Sequence, residues 1–203
     1  MLTFLITACN EKLELQENLK FVNIFKEKDD EVLVLLDKNK ADQDIINIAK
    51  TKSDKVIFKS LNSDFSSFKN YGISECKYDN ILHLDADEII NGFTIHLIKK
   101  IISSNPEISG IHIPRINLIT DSTDEDLVKL NFSFNEKKWI NWPDYQPRFI
   151  NRLSSICFVN KVHETFSDHS KTLFLEAHPS TAILHIKNLE KQKQQNKLYD
   201  TIQ

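Results

Sequence analysis

Continuous apolar runs alternate with amphipathic stretches through the first half of the chain. The apolar runs are typical of strands that are buried on both faces. The stretches between them repeat their apolar residues at helical spacing. The predicted strands are residues 2–8, 31–37, 55–60 and 80–84, and the predicted helices are residues 11–27, 41–51 and 64–77. This alternation predicts an α/β fold with a parallel sheet covered by helices on both faces.

The pattern is less regular in the second half. A helix is predicted over residues 93–104 and a strand over 110–119, and the polar segment 121–144 predicts a flexible loop over a site. The remaining elements are short strands at residues 146–152, 156–160 and 180–186 and a lysine-rich helix at residues 188–201. For 203 residues, one domain is the default expectation.

The fourth predicted strand runs directly into the acids Asp85, Asp87 and Glu88 of the sequence LHLDADE. Such charges are costly to bury unless a cation pairs with them. Ligands of parallel sheets bind beyond the carboxyl ends of the strands, where Asp37 also lies. Asp85 and Asp87 could therefore turn toward one hard divalent cation such as Mg²⁺ or Mn²⁺. The alternative is that the acids cap and begin the next helix, and the pattern alone leaves both open.

Composition and charge argue against several classes of function. A net charge of -3 is unlike that of nucleic-acid-binding proteins, which usually carry a basic excess. Three widely spaced cysteines without a CxxC pair argue against a disulfide framework and favour a cytoplasmic location. The apolar opening predicts a strand and not a signal peptide, and no run approaches the ~18 apolar residues of a membrane span. The lysines grouped with the last helix, at positions 187, 191, 193 and 197, predict a solvated face, or else contact with an anionic membrane or a partner.

Blocks along the whole chain resemble family 2 glycosyltransferases, particularly the small bacterial enzymes that build lipopolysaccharide core. The blocks are LITACNE, LLDKNKADQD, DFSSFKNYGISECKYDNILHLDADE, WPDYQPRFINR and KVHETF, in the order that the family has them. The resemblance implies a GT-A fold, which is a mostly parallel sheet flanked by helices with a smaller antiparallel region. It also implies one domain over residues 1–203, with a nucleotide-sugar-binding half at 1–90 and an acceptor-side half at 91–203. The implied reaction is metal-dependent, inverting transfer from a nucleotide-diphosphate sugar, with Mn²⁺ or Mg²⁺ as cofactor.

The resemblance further implies roles for individual residues. Asp37 would hold the nucleotide base and Asp87 would ligate the metal. Asp85 would face the ribose or a metal-bound water and belongs with Asp87 to the metal site. Lys69 takes the place of the family's arginine and would face phosphate without a bidentate fork. The other residues implied in nucleotide-sugar binding are Asn10, Glu11, Asp42, Asn70 and Arg148.

Two histidines lie in segments that resemble family blocks. Either His185 or His163 could complete the metal site or contact the diphosphate, and we favour His185. The alternative for each is a hydrogen-bonded structural histidine. The other histidines are predicted to be packed inside, in the case of residue 83, or to lie at the surface, in the case of residues 96, 112, 169 and 178.

Inverting transfer needs a carboxylate that takes the proton of the acceptor hydroxyl from within about 3 Å. We favour Glu164, with Asp144 as the second candidate and Glu88 as the third. The alternative for Glu164 is an ion pair with Arg148 or Arg152.

Two other functions fit parts of the pattern. Phosphatases of the haloacid dehalogenase type also carry DxD after a strand, but there it follows the first strand and precedes Thr or Val. A catalytically degenerate sugar-nucleotide-binding module, or a subunit that needs a partner, fits Lys69 and the altered DKNKAD turn. The resemblance over nearly the whole chain instead implies a glycosyltransferase that acts on a hydroxyl of a glycan, lipid-linked or surface polysaccharide acceptor.

Overall fold

The computed structural model describes residues 1–202, which form eleven strands and six helices. The strands are β1 (Thr3–Ala8), β2 (Glu31–Asp37), β3 (Lys55–Lys59), β4 (Asn80–Asp85), β5 (Glu88–Ile89), β6 (Gly110–Thr120), β7 (Ile140–Asn151), β8 (Phe158–Val159), β9 (Thr165–Phe166), β10 (Thr172–Phe174) and β11 (Ile183–Asn188). The helices are α1 (Lys12–Phe25), α2 (Gln43–Lys52), α3 (Phe65–Ser74), α4 (Gly92–Ser104), α5 (Asp124–Lys129) and α6 (Leu189–Ile202).

One mostly parallel sheet holds strands from both halves of the chain. Its order is β3-β2-β1-β4-β7-β6-β11-β5, with β10 beside β6. The pairs among β1 to β4 are parallel, whereas β7 lies antiparallel between β4 and β6. Strand β11 is parallel to β6. The carboxyl ends of β1, β2, β4, β6 and β11 therefore lie at one edge of the sheet.

The two faces of the sheet carry separate apolar layers. Along β1, Phe4 and Ile6 belong to one buried cluster, which includes the apolar faces of α1, α2 and α4. Leu5 points the opposite way and packs in a second cluster with Phe68 of α3. This alternation, which follows from the two-residue period of a strand, confirms the prediction of helices on both faces.

The predicted elements of the first half are confirmed with small shifts of their ends, whereas the predicted loop at residues 121–144 is wrong for residues 124–129 and 140–144. Thr123 and Asp126 form a capping box that begins α5 inside this segment. Residues 140–144 are already part of β7 and pair with β6. Strands β5, β9 and β10 were not predicted, because two or three residues are too short to show a period.

The three acids do not begin the helix that follows them. The chain enters the short strand β5 at Glu88, which pairs with β11. Helix α4 begins later, where the side chain of Asn91 accepts a hydrogen bond from the Thr94 amide at 2.9 Å. The helix-capping alternative for the acids is therefore wrong.

The histidine at position 112 is not at the surface, which corrects a sequence prediction. His112 is buried, and its ring stacks on Phe174 with 4.2 Å between ring centroids. Its Nε2 lies 3.3 Å from Nδ1 of His169. Burial and then the nearby His169 lower the pKa of His112 to about 4, so this buried ring is neutral at pH 7.

Two further findings concern the chain as a whole. All three cysteines are free thiols. Across residues 1–202, none of the helices combines the length and the apolar character that crossing a membrane requires.

We expect the substitution Gly72→Val in α3 to lower the free energy of unfolding by about 1–3 kcal/mol, the usual cost of overpacking. A Cβ atom at Gly72 would lie 2.9 Å from Leu5 Cδ2 and 3.1 Å from Leu35 Cδ2, both in buried strands. Urea unfolding measures the loss. Gly92→Val is the matched control and should lose less, because its Cβ would meet the ring of Phe25, which is 41% exposed and can turn outward. Equal losses in the two variants would contradict this account of the α3 contact.

Candidate active site

Two of the predicted site aspartates, Asp37 and Asp85, are the last residues of β2 and β4, the strands on either side of β1. In the parallel register Thr7 lies opposite Asp85 in β4, and Ala8 lies opposite Leu36 in β2. Asp37 and Asp85 therefore flank the end of β1. Asp37 is buried, and its Oδ1 accepts hydrogen bonds from the amides of Asn39 and Leu61, both at 3.2 Å. These bonds fix the turn that follows β2.

Asp85 is bound by side chains from three different elements. Its Oδ2 accepts from Arg148 Nη2 of β7 at 2.7 Å, and its Oδ1 accepts from Thr7 Oγ1 at 2.9 Å. Lys69 Nζ of α3 lies 3.7 Å from the same Oδ1. Burial alone would raise the pKa of Asp85, but the charges of Lys69 and Arg148 outweigh burial and hold it well below its usual range. Asp85 is therefore ionised at neutral pH.

Glu88 is an internal anchor of the site. Its side chain is 0% exposed. Its Oε1 accepts from Arg148 Nη2 at 2.5 Å and from Arg115 Nη1 at 3.0 Å, while Oε2 accepts from the backbone amide of Asp85 at 3.1 Å. A carboxylate enclosed in this way cannot meet an acceptor hydroxyl, which removes Glu88 as a candidate base.

Asp144, the second candidate base, is held by its neighbours in β6 and β7. Its Oδ2 accepts from Arg115 Nε at 3.0 Å and Nη2 at 2.7 Å, and from Asn117 Nδ2 at 2.7 Å. Its Oδ1 accepts from Gln146 at 2.9 Å. Burial raises the pKa of Asp144, but Arg115 and Asn117 more than offset this and the net shift is downward. A carboxylate with a lowered pKa is a weak proton acceptor.

Glu164, the first candidate base, forms its ion pair with a residue that was not foreseen. Lys69 Nζ lies 2.8 Å from Glu164 Oε1, and both side chains are largely buried. The contact lacks hydrogen-bond geometry, so Oε1 has no hydrogen-bond donor among the described residues. Arg152 pairs with Asp79 instead, at 2.7 Å, and Arg148 with the acids of LHLDADE. Lys69 therefore links Glu164 to Asp85.

Asp87, which lies between β4 and β5, comes together with His185, the third residue of β11. Asp87 Oδ2 lies 3.3 Å from His185 Nε2 and 3.3 Å from Lys187 Nζ. Because Asn117 donates through Nδ2 to Asp144, its Oδ1 faces His185 Nδ1, 2.7 Å away, and must accept from it. Burial lowers the pKa of His185, so the ring is neutral at pH 7 and its Nε2 carries a lone pair. A carboxylate oxygen and a nitrogen lone pair thus face the same point.

The second histidine of the predicted metal site lies elsewhere. The ring of His163 packs edge-on against Tyr199 of α6, with 5.2 Å between centroids. Among residues 1–202 no ion pair joins His163 to Asp85 or Asp87. The structure therefore brings together Asp87 and His185, and it places His163 beside α6.

Several residues implied in nucleotide-sugar binding already use their polar atoms within the protein. Asn70 exchanges hydrogen bonds of 2.8 and 2.9 Å with the backbone of Phe158 in β8. Glu11 Oε2 accepts from the two preceding backbone amides, at 2.7 and 3.0 Å. Asp42 caps the beginning of α2. Asn10 is exposed.

Two cations of the site were missed by sequence reasoning. Arg115 is a charge inside the apolar strand predicted over residues 110–119, and the available signal was that a charge among apolar residues needs a partner if it is buried. Lys187 was grouped with the lysines of the last helix, but it lies in β11, two residues after His185. Residues i and i+2 of a strand share a face, so both side chains reach Asp87.

Comparisons with known proteins agree with this architecture. The family model described as Glycosyl transferase family 2 matches residues 3–156. Crystal structures of S. aureus TarS 1-349, free and in complex with UDP, have TM-scores of 0.59 and 0.60 and identities of 13% and 15%. Each match covers 99% of this chain but 64% of the TarS chain, so this chain spans about two thirds of that length.

A third structure is less similar. Glucosyl-3-phosphoglycerate synthase from Mycobacterium tuberculosis, in complex with Mn²⁺, UDP and glucosyl-3-phosphoglycerate, has a TM-score of 0.46 and 11% identity over 60% of this chain and 44% of that one. No curated protein sequence matches the chain. At these identities the TarS structures are informative about the fold alone, and they confirm the predicted GT-A fold.

We expect Arg148→Met to lower the free energy of unfolding by about 3–5 kcal/mol, because a buried carboxylate loses its partner. The double substitution Arg148→Met with Glu88→Gln should recover part of this loss, since one uncompensated charge is removed as well. Urea unfolding of both variants measures the difference. A single variant that is as stable as the wild type would show that Arg148 does not hold the acids together.

Proposed function

The chain belongs to glycosyl transferase family 2, and on that premise we propose that it moves a sugar from a nucleotide-diphosphate donor to an acceptor hydroxyl, with inversion and with a divalent ion. The observation that supports this most is the approach of Asp87 Oδ2 and His185 Nε2 to 3.3 Å at the carboxyl edge of the sheet. Asp37 and Asp85 lie at the same edge, which is where open α/β sheets bind ligands.

The residues at this position fit Mn²⁺ or Mg²⁺. Asp87 and His185 would hold the ion, since oxygen ligands suit both metals and imidazole suits Mn²⁺. Within residues 1–202 there is no group of three or more His, Cys, Asp or Glu side chains that could hold a metal. The ion would therefore take its remaining ligands from the donor and from water. When bound, it would supply positive charge for the departing nucleoside diphosphate.

Asp37 is the proposed partner of the nucleotide base. Both hydrogen bonds that it accepts use Oδ1, and Oδ2 accepts none from the described residues. An ionised carboxylate with a free oxygen can accept from the imide or amine of a base. S. aureus TarS, which has the same fold, has been crystallised with UDP, so UDP is the first nucleotide to test.

Glu164 is the proposed base. Asp144 accepts four hydrogen bonds from three side chains, whereas Glu164 Oε2 accepts none from the described residues and, unlike Oε1, is not buried. The Lys69 ammonium, 2.8 Å from Oε1, holds Glu164 next to Asp85. A carboxylate oxygen that has accepting capacity left can take the proton of an acceptor hydroxyl.

The acceptor is proposed from the sequence resemblance, which favours a hydroxyl of a glycan, a lipid-linked sugar or a surface polysaccharide, with lipopolysaccharide core as the first example to test. The location is proposed from the cysteines, whose number and spacing favour a cytoplasmic enzyme. The exposed lysines at positions 193 and 197 of α6 would supply peripheral contact with an anionic membrane.

A binding module without catalysis is the second candidate. Both candidate bases are engaged in ion pairs, Glu164 with Lys69 and Asp144 with Arg115. Hydrolysis of a panel of nucleotide sugars, with and without Mn²⁺, separates the candidates. Metal-dependent turnover of one donor supports the transferase, whereas nucleotide binding without turnover of any donor supports the module.

We expect Asp87→Asn to abolish Mn²⁺-dependent UDP binding, because a neutral amide is a much poorer metal ligand than a carboxylate. Mutating a residue that only hydrogen-bonds to a metal ligand costs roughly 10–100-fold in metal affinity, so removing the ligand itself should lower the Mn²⁺-dependent affinity for UDP by at least as much. Isothermal titration of UDP with and without Mn²⁺ measures it. Asp29→Asn is the matched control and should behave as the wild type, because Asp29 is exposed and lies just before the beginning of β2, away from the edge that carries the site. Unchanged UDP affinity in Asp87→Asn would contradict the metal assignment.

We expect Glu164→Gln to lower kcat by about 10²–10⁴-fold, the usual contribution of a general base, while UDP affinity stays unchanged. Steady-state transfer and UDP titration measure the two quantities. Asp144→Asn tests the second candidate in parallel. If it loses kcat in this way and Glu164→Gln does not, the base is Asp144.

A further inference from the structure

Charged side chains of both signs crowd this edge of the sheet. Three of the four cations each contact two of the acids, as Arg148 does with Asp85 and Glu88. The acids are Asp85, Asp87, Glu88, Asp144 and Glu164, and the cations are Lys69, Arg115, Arg148 and Lys187. The chain itself therefore neutralises most of the acidic charge.

Lys187 is bound less firmly than the other three cations. Among the residues that the structure describes, its one carboxylate contact is Asp87 Oδ2 at 3.3 Å. Its other contact is neutral, a hydrogen bond of 2.6 Å to Gln195 Oε1 in α6. The side chain is 13% exposed, so the pair with Asp87 is partly shielded from water. Of the cations at this edge, Lys187 is thus the one that can leave its acid at the lowest cost.

Lys187 also contacts the carboxylate oxygen at which we place the divalent ion. Asp87 Oδ2, the oxygen that it contacts, is the same oxygen that approaches His185 Nε2. A divalent ion at this oxygen would meet the positive charge of the ammonium at close range. The ion and Lys187 therefore compete for one carboxylate.

We propose that Lys187 is the resident counter-ion of Asp87, that it leaves this carboxylate when a divalent ion binds, and that its ammonium then pairs with the diphosphate of the donor. The inference rests on the proposed function, because it takes the nucleotide-diphosphate donor from there. It assigns to Lys187 a positioning role that couples the two ligands.

The coupling follows from charge. Without a nucleotide, a divalent ion has to separate Lys187 from Asp87 and leaves two positive charges beside one carboxylate. A bound diphosphate brings negative charge that both cations can share. Each ligand then raises the affinity for the other, which is a coupling free energy in the usual sense. Gln195 can stay hydrogen-bonded to the Lys187 ammonium while the ammonium moves from Asp87 to the diphosphate. The Gln195 amide is itself anchored, because its Nε2 donates to Tyr199 Oη at 2.6 Å.

The test measures Mn²⁺ binding without any nucleotide, by the electron paramagnetic resonance signal of free Mn²⁺. Lys187→Met should bind Mn²⁺ at least about tenfold more tightly than the wild type, because no partly buried ion pair has to be broken. Lys187→Arg keeps the charge and should bind as weakly as the wild type. Lys191→Met is the matched control. It removes a lysine that pairs with Glu14 and not with Asp87, and it should leave Mn²⁺ binding unchanged.

A second measurement follows the other half of the exchange. At saturating Mn²⁺, Lys187→Met should bind UDP more weakly than the wild type and Lys191→Met should not. If Lys187→Met and the wild type bind Mn²⁺ with the same affinity in the absence of nucleotide, the proposal is overturned. If Lys187→Met does not fold, Lys187→Gln is measured in the same way with the same expected results.

Failure of the proposed function gives a different result. A protein that turns over no nucleotide sugar can still bind Mn²⁺ more tightly when Lys187 is replaced. That outcome would support competition between Lys187 and Mn²⁺ for Asp87 and would contradict the proposed use of a nucleotide-sugar donor. If Lys187→Met binds Mn²⁺ with the wild-type affinity and the protein turns over a donor, the proposed function is supported and the competition is contradicted.

Discussion

The guanidinium of Arg148 lies between Asp85 and Glu88, at 2.7 and 2.5 Å from their oxygens, and is 2% exposed. It reaches them from β7, the strand that lies antiparallel between β4 and β6. A strand that ends in DADE would be unstable at a buried edge if its charges had no partners. Because β7 delivers an arginine to that point, the acids can be ionised and ordered. The placement of β7 beside β4 is therefore as important to the site as the acids themselves.

The carboxylates at this edge have different roles because they have different cationic partners. Glu88 is enclosed by two arginines and stabilises the edge, while Asp144 is fixed by Arg115 and its neighbours. Among the described side chains, Asp87 is paired only with Lys187 and a neutral imidazole. Among the acids of LHLDADE, the least compensated carboxylate is the one that we assign to the divalent ion. Glu164, whose Oε2 is not buried and accepts no hydrogen bond from the described residues, is the one that we assign to the acceptor proton.

Local pattern predicted the parallel half of the fold and the edge that carries the acids, because strand and helix periods are properties of short segments. Asp37, Asp85 and Asp87 could be placed at that edge for the same reason. The partners of the acids could not be predicted, since Arg115 and Arg148 lie 27 and 63 residues away along the chain from the acids that they bind. The polar residues before 144 looked like a loop because β7 has polar side chains at its beginning, and only pairing with β6 makes them a strand.

We infer that the chain's own cations, and not a metal, keep the acids of LHLDADE in place before any donor binds. Thermal unfolding of the wild type without nucleotide, in EDTA and in Mn²⁺, is the decisive test. The account predicts the same Tm in both conditions, within the ~2 °C that a stability difference of about half a kcal/mol would produce in a chain of this size. A Tm that falls by many degrees in EDTA would show that a bound metal holds the acids, and would contradict the account.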